Sequence, residues 1–123
     1  MHALAAYKSR RVETASPLQL LVMLNQEMLR RIELGAIQLE AANPVDASAH
    51  FHHAREILTE LTAALDPVNG PTDLTARLGD LYRWSAAELV AAGREKDPGR
   101  ARKVGDALMP VLEGWSDLLR RGV

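Results

Sequence analysis

Three histidines crowd into four positions, His50, His52 and His53 around Phe51, with Glu56 one turn further on. At helical spacing His50, His53 and Glu56 stand at i, i+3 and i+6 along one flank, and neutral imidazole beside a carboxylate is a common donor set for a divalent metal. The neighbours argue against a catalytic metal. Phe51 and Ala54 define the buried face, which turns His52 to solvent and leaves His50 and His53 flanking it. A carboxylate-bridged di-metal centre of the kind helical bundles carry needs Glu-x-x-His pairs, and no glutamate of this chain is followed by histidine three residues later. Other chemistries fail on residue type. With no cysteine there is no thiolate zinc site, disulfide or cysteine nucleophile. No strained nucleophile turn or glycine-rich oxyanion loop accompanies the serines, and the glycines at 70 and 99 belong to turns, not to a phosphate cradle. The sequence reads as a non-enzyme with no cofactor and no metal.

Composition narrows the class further. The chain has 123 residues, 47% of them apolar, enough for one domain with a real core. Fifteen basic against sixteen acidic side chains leave a net charge of −1, which argues against a nucleic-acid partner. No apolar run approaches the roughly 18 residues a membrane span needs, so no membrane insertion is expected. The basic residues near the start follow the short apolar stretch instead of preceding it, the wrong order for a signal peptide. The expected location is the cytoplasm.

The elements that would position any site are helices. Ser16, Pro17 and Gln19 form an S-P-x-Q start signal in which a hydroxyl caps the helix, proline takes the first position and glutamine completes a capping box. From there Leu21, Leu24, Met28, Ile32, Gly35 and Leu39 fall at alternating spacings of three and four, which predicts a helix over about 17–42. Pro44 is expected to break the chain. A second helix is predicted over about 47–65 on Phe51, Ala54, Leu58, Leu61 and Leu65. The third is predicted over about 73–95, capped by Thr72, on Leu74, Leu78, Leu81, Ser85, Leu89 and Ala92. The fourth, over about 98–120, carries Ala101, Val104, Leu108, Val111, Trp115 and Leu118, with a kink expected near Asp106–Met109 because Pro110 sits inside it. Strand signals are lacking. Helices of matched length, on the order of 30–39 Å, joined by short connections must run antiparallel. The expected fold is all-α, an up-down-up-down four-helix bundle over 16–123 with a short mobile N-terminal segment, 1–15, leaning on it.

Apolar residues extend beyond these seams: Leu18, Leu20, Val22, Met23, Ile57, Leu89, Val90, Leu112 and Leu119. They read either as broad core stripes or as a groove for an amphipathic partner segment. The paired arginines at 10/11, 30/31 and 120/121 read as solvated faces or as contacts to an acidic partner. Leu4 and Tyr7 lie three apart, so one helical turn would put both on one face of a segment too short to hold a helix alone.

The stretch Ala6–Leu24, AYKSRRVETASPLQLLVML, resembles the opening of the FliS-type flagellar secretion chaperones. The match includes the Ala-Tyr leader and the consecutive Val12–Pro17. Ala54–Asp66 is similar to that family's second helix and Leu78–Pro98 to its third, while Trp115 matches its late tryptophan. The resemblance implies a four-helix bundle that holds the C-terminal segment of unassembled flagellin in the cytoplasm, blocks premature polymerisation and presents the cargo to the flagellar export gate. Such a tail is disordered alone, so binding it calls for a large apolar surface. The expected contact set is Leu4, Tyr7, Leu18, Leu20, Val22, Ile57, Leu61, Tyr82, Leu89 and Trp115, with Tyr82 and Trp115 also filling space between helices. Residues 1–12 are expected to cover an apolar groove in the empty protein, or to serve through Tyr7 as a docking handle for the export gate. A generic bundle adaptor for a folded protein is the alternative reading, and pairing of empty copies as a homodimer stays open. Asn25, Gln26 and Glu27 stand where the family usually continues with a tyrosine and an acidic residue, and Pro110 is atypical of its last helix.

Overall fold

A computed structural model describes residues 15–65 and 72–122. Residues 1–14 of the expected N-terminal segment, with Leu4, Tyr7 and the arginine pair at 10/11, lie outside these residues. Four helices follow in order: α1 (Pro17–Glu40), α2 (Pro44–Ala63), α3 (Asp73–Glu95) and α4 (Pro98–Arg120). Each packs against its neighbours in sequence, and α4 closes the ring onto α1. This is the expected antiparallel four-helix bundle. Helix α1 makes the most extensive contacts, with α2 and α4, whereas α3 is held less closely by both of its neighbours.

Each helix start has a local cause. Ser16 Oγ accepts from the Gln19 amide at 3.0 Å while Gln19 Oε1 accepts from the Ser16 amide at 2.7 Å, so two orphan donors are satisfied reciprocally. Thr72 and Thr75 build the same reciprocal box for α3. For α4, Asp97 Oδ1 accepts from the Arg100 amide at 3.0 Å, with Pro98 in the first turn. Helix α2 departs from the sequence expectation. It begins at Pro44, three residues before the predicted Ala47, because proline needs no amide partner in the first turn and its fixed φ already suits a helix. Pro44 starts a helix where it was expected only to break one.

Both tight turns use the same device. Helix α1 ends through Ala42 at φ 62° and α3 through Lys96 at φ 55°, each followed by a polar residue and then a proline that opens the next helix. The left-handed residue lets the following amide reach back five residues, Asn43 N to Gln38 O at 2.8 Å and Asp97 N to Ala92 O at 2.9 Å. Chain reversal therefore takes three residues between α1 and α2 and two between α3 and α4, both at this end of the bundle.

The core at the turn end is organised by Phe51, the one phenylalanine of the chain. Its ring lies between two glycines: a Cβ on Gly35 of α1 would stand 2.7 Å from Phe51 Cδ1, and one on Gly93 of α3 would stand 3.6 Å from Cδ2. Two arginine forks on α4 close the same end. Arg102 donates to Glu33 and Glu40 of α1 at 2.7–3.2 Å, and Arg100 donates to Glu88 at 3.0 and 3.1 Å and to Glu95 at 2.9 Å. Helix α4 then continues as one element through Pro110, which is exposed, as is Asp106 one turn earlier. Among the described residues no helix is long and apolar enough to cross a membrane.

The Phe51 contact makes a direct prediction. Gly35→Ala places a methyl group inside the space the ring occupies, so α1 and α2 must move apart or the ring must leave its rotamer. The expected loss is about 1–3 kcal/mol in chemical denaturation, as for other overpacked cores. Gly114→Ala, where an added Cβ meets nothing within 4 Å, is the matched control and is expected to leave stability unchanged or raised.

Candidate partner-binding clefts

The opposite end of the bundle, where α1 and α3 begin and α2 and α4 finish, is less tightly closed. Between α1 and α2 lies a cleft of about 450 Å³, lined by Pro17, Leu20, Leu21 and Leu24 from one side and Glu60, Leu61, Ala63 and Ala64 from the other. Between α3 and α4 lies a second, of about 320 Å³, lined by Leu74 and Leu78 and by Pro110, Val111, Gly114, Trp115 and Leu118. Glu60 is the one charged residue among these fifteen. Local sequence explains the space. Small side chains stand where two helices would otherwise meet, Ala63 and Ala64 in the first cleft and Gly114 in the second. Helix α4 contributes Ala101, Val104 and Leu108 to the buried core and nothing after them. Leu74, in the first turn of α3, is left 59% exposed.

The residues singled out from sequence divide into three groups. Leu20, Leu61 and Trp115 line the clefts, with Leu18 half-buried nearby in the first turn of α1. Val22, Ile57, Tyr82 and Leu89 are core residues, at most 6% exposed, and in this state offer no surface to a partner. The physical reason is that each helix of a closed four-helix ring faces two neighbours, so its buried stripe is wider than one seam. Leu4 and Tyr7 lie outside the described residues. Conversely, Leu21, Leu74, Val111 and Leu118 carry the seam pattern yet stand in open clefts, because the seams run on past the point where the core closes. For Leu74 and Leu118 the position in a terminal turn was the available signal.

Polar groups in the interior are few and incompletely paired. Asn25 is fully buried, its Nδ2 donating to Leu21 O at 2.9 Å while its Oδ1 lacks a partner. Ser85 Oγ and Trp115 Nε1 are likewise buried without one. Each such orphan costs about 1–3 kcal/mol relative to a paired group. The histidines, by contrast, serve the α1–α2 interface. Arg31 Nη1 donates to His50 Nδ1 at 3.2 Å, and Arg31 Nε donates to Glu27 at 3.1 Å. His52 points outward, 3.9 Å from Glu56. No group of three or more potential metal ligands is assembled among the described residues. The paired arginines at 30/31 and 120/121 are held within the chain, the first pair by Glu27 and the second by Asp117.

Two comparisons with known proteins agree with each other. The family described as "Flagellar protein FliS" matches residues 1–121 of the chain. A curated relative, the "Flagellar secretion chaperone FliS" of Bacillus subtilis (strain 168), is 27% identical over 115 residues, which is 94% of this chain and 84% of the relative.

The histidine pair gives the bundle a pH signature. Burial first, and then the positive charge of Arg31, push His50 and His53 below the ordinary 6.5. Above about pH 6.5 both are therefore largely neutral in the folded state, and as the pH falls through that value the unfolded chain binds more protons than the folded one. Stability is full above that value and declines as pH drops through it toward the folded-state pKa values. For Glu27, burial raises the carboxyl, but hydrogen bonds from Arg30 and Arg31 outweigh it and hold it below 4.5, so its stabilisation is lost only in a lower window. Urea unfolding is expected to show a lower midpoint at about pH 5.5 than at about pH 7.5. The difference should shrink in His50→Gln/His53→Gln.

Proposed function

The chain belongs to the FliS family of flagellar proteins, and we propose that it acts as a cytoplasmic export chaperone whose clefts hold the C-terminal segment of flagellin before assembly. The observation that carries this reading is the pair of clefts at one end of the bundle, both lined almost wholly by apolar side chains. A flagellin tail that is unfolded in isolation must bury its apolar face somewhere, and helical anchors at i, i+3, i+4 and i+7 fit shallow clefts between helices. Two separated clefts suit a segment that wraps the bundle and seats an anchor in each. Binding by wrapping also explains how a chain with no catalytic group does its work: it prevents polymerisation by occupying the surface the filament would use, then releases the segment at the export gate. The described charged residues are largely committed to pairs within the bundle, which leaves apolar burial as the main recognition term.

Calorimetry with a flagellin C-terminal peptide tests the reading. Dissociation in the micromolar range or tighter is expected, about −8 kcal/mol or better, with a clearly negative heat-capacity change. Leu74→Asp removes an exposed anchor point from the second cleft at little cost to the fold, and Leu20→Ala trims the half-buried anchor of the first. Each is expected to weaken binding at least about tenfold, near 1.4 kcal/mol. Absence of heat and of co-elution with peptide at tens of micromolar, roughly ten times the expected limit, counts against the proposal. A folded partner that binds where the peptide does not supports the adaptor alternative.

A further inference from the structure

Helix α4 is held unevenly along its length. Its first half is pinned: Ala101, Val104 and Leu108 are fully buried, and the Arg100 and Arg102 forks tie it to Glu88 and Glu95 on one side and to Glu33 and Glu40 on the other. From Met109 onward no described residue of the helix is buried. The ion pairs there, Arg120 and Arg121 with Asp117, stay within the helix and its cap and tie it to nothing else. The change falls at Pro110, which has no amide to give to the Asp106 carbonyl, and Gly105 and Gly114 stand about one turn to either side. Trp115, the largest side chain of the second half, sits against the core with its indole N–H buried and without an acceptor. The space beside Gly114 is empty on the side where α3 would have to press to hold the segment down.

We infer that Val111–Arg120 is a hinged segment, which opens from the bundle as a unit about Pro110 while Pro98–Leu108 stays seated. The antiparallel register says what opening uncovers. Gly105 lies against Ile32, where an added Cβ would be 3.9 Å from Cγ2. Two turns on, Leu112 therefore stands opposite Asn25, and the following turns stand opposite Val22 and Leu18. Lifting the segment frees the Trp115 N–H to solvent, opens the second cleft along its whole α4 side, and brings Val22 from the core to the surface. The hinge goes beyond the cargo reading and stands without it, because it concerns the chain alone.

Amide hydrogen exchange on the full chain, without any partner, tests the inference. Amides of 111–120 are expected to exchange with at least about a hundredfold less protection than those of 101–108, falling as a step at Pro110 and with little dependence on denaturant. Pro110→Ala, at an exposed helical position, restores the missing hydrogen bond. It is expected to raise protection of 111–120 at least about tenfold while leaving 101–108 unchanged. Trp115→Phe, which keeps a ring and removes the orphan donor, is expected to raise it in the same direction. Equal protection on both sides of Pro110 overturns the hinge. So does low protection that fades gradually toward Arg120 and does not respond to Pro110→Ala, since that is fraying of a helix end.

Discussion

The placement of one ring, Phe51, between Gly35 and Gly93 sets the geometry from which the rest of the bundle follows. The Phe51 ring fills the space between α1 and α3, each of which supplies a glycine at that height; a Cβ on Gly35 would clash with the ring, and one on Gly93 would just touch it. The contact brings three helices together beside the two tight turns, so one end is closed by covalent geometry, by packing and by the arginine forks at once. Each of these draws the helices together at the same level. None of them acts at the other end, and there the clefts lie. The molecule is polarised along its axis, with a rigid base and an adaptable tip, and the proposed binding surface is on the tip.

Much of this was legible in the residues. Seams at spacings of three and four located all four helices, and the Ser16–Gln19 capping box and the Thr72 cap fixed two of the starts to the residue. Pro44 was misread because a proline after a polar residue signals a boundary without saying on which side of it the helix lies. The site was less legible for a different reason. Periodicity reports which face of a helix is apolar, not whether another helix is there to cover it. Val22 and Leu89 looked surplus to a single seam, yet a ring of four helices buries two flanks of each. Leu74 and Leu118 looked like core, yet the core stops short of them. Whether a seam position is covered depends on where the neighbouring helix places its small residues, and that is a property of pairs of helices.

Family membership adds what geometry alone leaves open. Two apolar clefts on a bundle would fit many helical partners, and the flagellar assignment selects among them. The departures from the family's usual sequence gain physical content in return. Asn25 places an amide inside the core, where one of its two polar atoms is paired to Leu21, and Pro110 divides the last helix into a pinned half and a loosely held one.

The closure of the ring by α4 upon α1 also bears on how the chain is made. The flank of α1 that faces α4 has no cover until Ala101, Val104 and Leu108 have been synthesised. At about 5–20 residues per second, the interval between completing α1 and supplying those residues is on the order of ten seconds. Throughout it the nascent chain has at most α2 and α3 to pack against α1, so the flank that α4 will cover stays bare while the chain is tethered to the ribosome. A protein whose proposed task is to shield another chain's uncovered helix therefore passes through the same exposed condition during its own synthesis, and its final helix ends it.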